Sequence, residues 1–262
     1  MSLASIDGRI APAAETTIPV TDEGLLRGDG AFEVVRLYDG RPFAFAEHLR
    51  RLSGSLAGLR LEADITAVQR ETEALLDQAP PEDRNGAVRI VLTRGGRRIA
   101  ILEPLDDFEP AIRLATVTYA PTRILDGIKS LSYAANRLAT RVAQEQGADE
   151  ALLVTPHGRV LEAPTAAFFW VRGGVLLTPP LSDHILDSIT RRRLMEALDA
   201  REEPTPLTDL DAAGEAFLAS TTREVQAVCA IDGRELAAAP GPRTREATEA
   251  FVRVVADELA RA

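Results

Sequence analysis

The sequence has one cysteine, one lysine and three histidines in 262 residues. A single cysteine excludes an intramolecular disulfide, and Cys229 lies in an apolar run from 225 to 231 that is typical of a buried thiol. The three histidines, His48, His157 and His184, lack the spacing of a metal site. We therefore expect no metal ion, and a reducing, cytoplasmic environment.

Long apolar runs and excess positive charge are also absent. No stretch of 18 uninterrupted apolar residues occurs, so a membrane span is not expected, and the first eight residues lack a basic-then-apolar signal pattern. The net charge is -10, which argues against nucleic acid or an anionic membrane as a partner. Hydrophobic residues make up 45% of the chain, enough for one large domain or two modest ones.

Lys129 is the only lysine among 30 basic residues, all the others being arginine. Arginine stays protonated in proteins, whereas a desolvated lysine can lose its proton and attack a carbonyl group. An arginine-rich codon bias that spared one surface lysine would explain the count equally well. The residues around Lys129 and elsewhere in the chain decide between these readings.

The hydrophobic pattern divides the chain into two halves. The first half predicts two helices on an antiparallel sheet, and a Pro- and Gly-containing segment at 119–127 predicts a connector. In this half the predicted strands are 30–38, 87–94, 99–103 and 112–119, and the predicted helices are 46–59 and 65–76. In the second half the predicted helices are 133–146, 189–200 and 243–261, and the predicted strands are 150–155, 166–172, 175–178, 216–220 and 226–231.

Three further groups in the second half complement the amine of Lys129. Glu162 precedes an apolar strand, Ser188 and Thr190 begin a helix, and residues 220–223 place three hydroxyl groups and a guanidinium after a buried strand. Each alone has an ordinary reading, as a surface acid, a helix cap or a polar turn. Together, an amine, a carboxylate and two phosphate-suited turns are the parts needed to hold pyridoxal 5'-phosphate (PLP).

Six short motifs, in order, carry a resemblance to a known family. They are Asp22-Glu23-Gly24-Leu25-Leu26-Arg27-Gly28-Asp29-Gly30-Ala31-Phe32-Glu33, His48-Leu49-Arg50-Arg51-Leu52, Ile128-Lys129-Ser130-Leu131, Ala148-Asp149-Glu150-Ala151-Leu152-Leu153, Leu177-Thr178-Pro179-Pro180 and Ile231-Asp232-Gly233-Arg234. At these separations the sequence resembles the class IV aminotransferases, the fold type IV PLP enzymes. That family includes branched-chain aminotransferases, D-amino acid aminotransferases and aminodeoxychorismate lyases.

The resemblance implies a role for each matching residue. Lys129 would form the Schiff base with PLP and relay the proton, and Glu162 would pair with the pyridine nitrogen. The phosphate would be bound by Arg51, Ile189, Thr190 and Thr221. Leu186 would pack under the ring and Tyr133 would hydrogen-bond the phenolic oxygen, whereas His48 would be structural.

Substrate contacts are expected from residues near these motifs. Thr222 would donate its backbone N–H to the substrate carboxylate, and Phe32 would line the substrate site. Three arginines are candidates for a carboxylate: Arg27, Arg97 and Arg223. Arg27 could equally form a salt bridge with Asp29 or Glu33, and Arg97 could simply lie in a solvated hairpin loop. Ala167 stands where the family usually has asparagine, so the resemblance does not explain how that side of the ring is held.

The implied fold is a two-lobed α/β (α+β) enzyme. Residues 1–120 would form a smaller N-terminal α/β lobe, 121–127 the connector and 128–262 a larger lobe with a barrel-like sheet, with the cofactor between the lobes. The expected activity is PLP-dependent transfer of an amino group between an amino acid and a 2-oxo acid, in a homodimer. Aminodeoxychorismate lyase and a catalytically inert binding homologue are the alternatives. The amino donor, the acceptor and the D or L stereochemistry are not readable from the sequence.

Overall fold

The computed structural model describes residues 2–261, which form two compact units. The first unit comprises residues 2–106 and 128–133, and the second comprises 107–127 and 134–261. The limits expected from the sequence differ in two places. The strand expected at 112–119 belongs to the second unit, and the segment with Lys129 belongs to the first. Both differences arise from hydrogen bonds between residues distant in sequence, which periodicity does not reveal.

The first unit contains an antiparallel sheet of six strands in the order β2-β1-β6-β5-β3-β4. The strands are β1 (Leu3–Ile6), β2 (Arg9–Pro12), β3 (Gly30–Tyr38), β4 (Arg41–Pro42), β5 (Ala87–Thr93) and β6 (Arg98–Glu103). The helices are α1 (Glu23–Arg27), α2 (Phe45–Gly58) and α3 (Ile65–Leu76), with 3-10 turns at Ala13–Glu15 and Pro81–Asp83.

Alternation along β3 separates the two faces of this sheet. Val35 and Leu37 face a core that includes Leu52 of α2 and Val68 of α3. Phe32 therefore lies on the opposite face, because successive side chains of a strand point to opposite sides. The amphipathic helices cover one face of the sheet and leave the face with Phe32 for other contacts.

The second unit is built on a curled, half-barrel sheet of eight strands. Its strands are β7 (Ala111–Thr118), β8 (Glu150–Val154), β9 (Ala167–Arg172), β10 (Val175–Thr178), β11 (Arg201–Glu202), β12 (Glu215–Ser220), β13 (Glu224–Ile231) and β14 (Arg234–Glu235). The order is β11-β10-β9-β12-β13-β7-β8, with β14 paired to β13. Strand β7 runs parallel to both β8 and β13, which is why it belongs to this unit.

Three helices accompany this sheet: α4 (Ala134–Glu145), α5 (Ile189–Ala197) and α6 (Pro242–Arg261). Short 3-10 turns lie at Arg123–Leu125, Leu181–Asp183 and Leu207–Ala212. Helix α4 packs on β7 and β8, and α5 packs on β12 and α6. Among residues 2–261, no helix is both long enough and apolar enough to cross a membrane.

The mixed α/β fold with a half-barrel sheet is confirmed, and most predicted elements lie within three residues of their expected limits. The prediction missed the hairpin β1–β2 and helix α1. Both are built from four- or five-residue elements. One turn of helix, or two strands of that length, carries too few periodic positions to stand out from a loop.

Candidate active site

The segment carrying Lys129 is hydrogen-bonded to the start of β3. Phe32 donates its backbone N–H to the Lys129 carbonyl oxygen at 3.1 Å, and Leu131 donates to the Gly30 carbonyl oxygen at 2.9 Å. The Lys129 N–H is in turn donated to Ser55 Oγ of α2 at 3.1 Å. These bonds fix the lysine backbone on both sides of its side chain.

Gly30 makes this close approach possible. A Cβ atom at that position would lie 2.2 Å from the carbonyl oxygen of Leu92 and 2.7 Å from Leu131 Cδ1. The backbone at Leu92 cannot retreat without breaking the β3–β5 ladder, so only glycine fits.

The amine of Lys129 lies against two aromatic rings. Its Nζ is 4.5 Å from the centre of the Phe32 ring and 6.0 Å from that of Tyr133. The two rings meet edge to face, with centres 5.3 Å apart. The guanidinium of Arg89, on β5, lies 5.6 Å from the Phe32 ring centre. The structure thus gathers an amine, a phenol and a second cation around Phe32.

A buried charge network lies on the helix-covered face of the same sheet. Glu33 accepts two hydrogen bonds from Arg51, at 2.7 and 2.6 Å, and its Oε2 is 2.7 Å from His48 Nδ1. Burial raises the pKa of Glu33, but the hydrogen bonds from Arg51 and His48 outweigh it and bring the pKa to about 2. Burial also lowers the pKa of His48. Arg51, the expected phosphate ligand, is therefore held by an ionised carboxylate, and His48 lies in the same buried network.

In the second unit, Glu162 has the geometry of a fixed carboxylate. Its Oε1 accepts the backbone N–H of Leu186 at 3.0 Å, and its carbonyl oxygen accepts from Leu153 of β8 at 2.9 Å. Burial raises the pKa of Tyr119, and the charge of Glu162 raises it further. The structure thus brings together Glu162 and Leu186, two residues with separate predicted roles toward the cofactor.

Helix α5 begins with two buried donors. Ser188 caps the helix by accepting the Arg191 N–H at 3.2 Å. Ile189 and Thr190 are only 2% and 1% exposed, and no acceptor among residues 2–261 takes either backbone N–H. Buried N–H groups at a helix N-terminus are suited to an anion. The buried Arg191 guanidinium anchors the helix to Thr178 Oγ1 at 3.2 Å.

The turn between β12 and β13, at residues 221–223, offers two further backbone donors, on residues that are only partly buried. Ser220 Oγ accepts the Arg223 N–H at 3.3 Å, whereas the N–H groups of Thr221 and Thr222 find no acceptor within residues 2–261. Helix α5 packs on β12, the strand that leads into this turn. Both phosphate-suited turns expected from the sequence therefore belong to one unit.

The three candidate arginines for a substrate carboxylate all have acidic partners. Arg27 is 71% exposed and pairs with Glu23 at 2.6 Å, not with either of the acids expected as its salt-bridge alternatives. Arg97 pairs with Asp7 at 2.5 Å, and Arg223 pairs with Glu150 at 2.7 Å. Asp29 and Glu33, the alternative partners of Arg27, form salt bridges with other arginines.

Asn136 of α4 occupies a place that bears on the missing asparagine. Its Nδ2 donates to the Pro164 carbonyl oxygen at 3.0 Å, in the loop that follows Glu162. Ala167 is buried and pairs with Ala219 of β12. An amide from another element thus supports the chain between Glu162 and β9.

Two residues of this region were missed by the sequence analysis, Arg89 and Glu150. Arg89 lies between the buried Val88 and Ile90 in an alternating strand, so its side chain points to the opposite face of the sheet. That alternation was the available signal. Glu150 lies inside the matched motif at residues 148–153, but nothing local shows that its side chain is buried. Its partner Arg223 is 73 residues away in the sequence.

Comparison with known proteins identifies the family of the chain. The family model described as amino-transferase class IV matches residues 30–231. A Methanocaldococcus jannaschii protein provisionally named branched-chain-amino-acid aminotransferase is 34% identical over 87% of this chain and 88% of its own. A D-alanine aminotransferase of Listeria innocua is 31% identical over 98% of this chain and 96% of its own.

The fold agrees as well. A fold IV transaminase from Curtobacterium pusillum, CpuTA1, is 26% identical, with a TM-score of 0.86 over 96% of this chain and 99% of that one. These matches do not favour the lyase alternative or the inert homologue. The chain belongs to the class IV aminotransferase family, whose members use PLP, and the relatives named above support a transaminase.

Proposed function

We propose that Lys129 is the residue that binds PLP covalently and moves the proton during amino-group transfer between an amino acid and a 2-oxo acid. When bound, PLP takes up the amino group of the donor and stabilises the negative charge left at the substrate Cα when its proton is removed. The ε-amine of Lys129 is the only one in the chain. Its place beside the rings of Phe32 and Tyr133 is the observation that carries the proposal.

The groups present fit the cofactor. Four backbone N–H groups without an acceptor among residues 2–261, at Ile189, Thr190, Thr221 and Thr222, match the needs of an anionic phosphate and a carboxylate. We propose the first three for the phosphate, together with Arg51, and Thr222 for the substrate carboxylate. At the buried residues Ile189 and Thr190, N–H groups without a partner cost free energy unless a ligand binds them, so their presence supports an anion site.

The remaining groups orient the ring and hold protons. Glu162 would keep a proton on the pyridine nitrogen, and the Leu186 N–H orients its carboxylate for that task. Tyr133 would donate to the phenolic oxygen, and Leu186 would pack under the ring. Lys129 Nζ would accept the Cα proton and hold it until its return. Phe32 would fix the amine by the attraction of a cation to its ring face.

For the substrate we propose Arg89 as a further candidate for a carboxylate. It lies against Phe32, whereas Arg27 and Arg97 are paired at other positions of the unit. Glu103 already accepts two hydrogen bonds from Arg89, at 2.6 and 2.8 Å, so a second carboxylate would have to share the guanidinium. A 2-oxo acid with an additional carboxylate could use this shared guanidinium, whereas a 2-oxo acid without one would not need it.

We also propose that the chain acts as a homodimer. The support is exposed apolar surface, Leu25 and Leu26 in the first unit at 59% each and Ile124 in the second at 85%. Exposed apolar side chains mark a surface for a protein partner where they form part of a larger contiguous patch. Light scattering of the purified protein at micromolar concentration measures the assembly, and a monomer would contradict this part of the proposal.

The test of the lysine assignment is covalent labelling. Wild-type protein is incubated with PLP, reduced with borohydride and digested, and the labelled peptide is located by mass spectrometry. We expect one label, on Lys129. The variant Lys129→Arg keeps a cation beside Phe32 but has no nucleophilic amine, so it controls for folding and should carry no label. A label at the chain N-terminus alone, or equal labelling of the variant, would refute the assignment.

A further inference from the structure

Glu150, at the start of β8, is a buried carboxylate that accepts hydrogen bonds on both oxygens. Its side chain is 5% exposed. One oxygen, Oε1, accepts the Thr140 hydroxyl of α4 at 2.6 Å and the Ala151 N–H at 3.0 Å. The other, Oε2, accepts Arg223 Nη2 at 2.7 Å. Three donors from three places in the second unit therefore meet on one acid.

Arg223 is held equally firmly on its other side. Its Nη1 donates to Gln226 Oε1 at 2.8 Å, and Gln226 Nε2 donates to the carbonyl oxygen of Glu109 at 2.7 Å. The guanidinium also lies 5.2 Å from the centre of the Phe108 ring. A guanidinium fixed by a carboxylate, an amide and a ring is poorly suited to bind and release a substrate at each turnover.

Arg223 connects the ion pair with Glu150 to the turn between β12 and β13. Arg223 is the last residue of the turn that presents the unpaired N–H groups of Thr221 and Thr222. The next residue, Glu224, has a φ of 57°, which is uncommon for a residue with a Cβ. The buried pair therefore fixes the end of a turn whose other two residues have no backbone acceptor within residues 2–261.

We infer that the Glu150–Arg223 pair positions the Thr221–Thr222 turn for the phosphate of the cofactor. This inference rests on the proposed function, in which Thr221 binds that phosphate. Arg223 is then a positioning residue, and the substrate role expected for it from the sequence is replaced. The turn leads into β13, and β7 separates β13 from β8 in the sheet. The side chains of Glu150 and Arg223 therefore connect regions that the backbone hydrogen bonds of the sheet join only indirectly.

Glu150→Gln and Arg223→Gln test the inference by comparing two ligands. A glutamine at 150 must point an N–H₂ group at an existing donor, whichever way the amide turns. The apo forms are titrated with PLP and with pyridoxal, which lacks the phosphate but reacts with the same lysine. We expect both variants to bind PLP on the order of tenfold more weakly, with pyridoxal affinity unchanged.

Controls separate this outcome from the alternatives. Arg172, on β9, is paired with Glu203 and Asp209. Arg172→Gln removes these ion pairs and should leave the affinities for PLP and pyridoxal at wild-type values. If Glu150→Gln does not fold, Thr140→Val removes one neutral donor to Glu150 Oε1 and should give a smaller loss in the same direction. Equal weakening of PLP and pyridoxal, unchanged PLP affinity, or a rise only in the KM for the amino acid would each overturn the inference. Failure of the wild type to bind PLP would instead refute the proposed function.

Discussion

The residues proposed to bind the cofactor are of different kinds in the two units. In the first unit the candidates are side-chain groups: the amine of Lys129, the guanidinium of Arg51 and the phenol of Tyr133. In the second unit, apart from Glu162, they are mainly backbone N–H groups at two turns. A side-chain contact is removed by one substitution, whereas a backbone contact survives any substitution that leaves the turn in place.

Behind each set of contacts lies a buried carboxylate. Glu33 orients Arg51 in the first unit, and Glu150 holds Arg223 and its turn in the second. Glu33 has two ionisable partners, whereas Glu150 has one and is otherwise satisfied by neutral donors. A buried carboxylate can thus support ligand binding indirectly in two ways. It can orient a charged side chain, or it can hold a segment of backbone in shape. Substitution of the acids should therefore have different signatures.

The largest effect is expected for Glu33→Gln. The variant leaves the partly buried Arg51 and the buried His48 without a carboxylate partner, because an amide carries no charge. Removing one member of a buried ion pair costs about 3–5 kcal/mol of unfolding free energy. Denaturant titration measures the change, and Glu23→Gln, the same substitution in an exposed pair with Arg27, should cost under about 1 kcal/mol. A loss for Glu33→Gln as small as that of the control would show that the network is not what stabilises this region.

The same variant has a signature in pH. Folding lowers the pKa of Glu33 from 4.5 to about 2. The ionised carboxylate therefore contributes its full stabilisation above the pKa of the unfolded chain, and this stabilisation is lost as the pH falls through the pKa of the folded protein. We expect wild-type stability to decrease between about pH 4.5 and about pH 2 by a few kcal/mol from this group. Hydrogen exchange of β3 and α2 reports it locally. The dependence should be flatter in Glu33→Gln.

Glu162→Gln should have the next largest effect, and on turnover instead of stability. A neutral amide cannot hold a proton on the pyridine nitrogen by charge, but it keeps the shape and can still accept the Leu186 N–H. We expect kcat to fall about 100-fold with PLP still bound. Absorbance titration gives the bound PLP, and stopped or continuous transaminase assays give kcat. Glu203→Gln on the same unit should retain wild-type kcat, and an active Glu162→Gln would remove this residue from its proposed role.

The family resemblance implied roles for Glu162 and Leu186 beside the cofactor ring, although these residues are 24 positions apart in the chain. The structure joins the two residues by a hydrogen bond, and their roles at the ring stay predictions. The cap at Ser188 was predicted from local chemistry alone, since a hydroxyl before an amphipathic run accepts a helix N–H.

Other features were beyond sequence reasoning for physical reasons. The parallel pairing of β7 with β8 and β13, and the hydrogen bonds of the lysine segment to β3, join residues far apart in the chain. Arginine partners are equally non-local: Arg97 meets Asp7, and Arg223 meets Glu150. Because any of 40 acidic residues could pair with any arginine, charge content alone does not choose among them.

The smallest effect is expected for Arg89→Gln, and it tests whether the first unit also recognises the substrate. Arg89 and Arg98 lie on neighbouring strands, and each is paired with a glutamate, Glu103 and Glu71. They differ in face: Arg89 lies against the Phe32 ring, whereas Arg98 meets helix α3. Arg98→Gln is therefore a control with the same chemistry on the opposite side of the sheet.

Two 2-oxo acids separate the possibilities. If Arg89 shares its guanidinium with a substrate carboxylate, Arg89→Gln should raise the KM for 2-oxoglutarate about tenfold and leave that for pyruvate nearly unchanged. Arg98→Gln should leave both unchanged, at some cost in stability. Equal changes for the two acceptors would mean that Arg89 acts on the position of Phe32 and Lys129. In that case recognition of the substrate carboxylates would rest with the second unit, where Thr222 is the proposed donor.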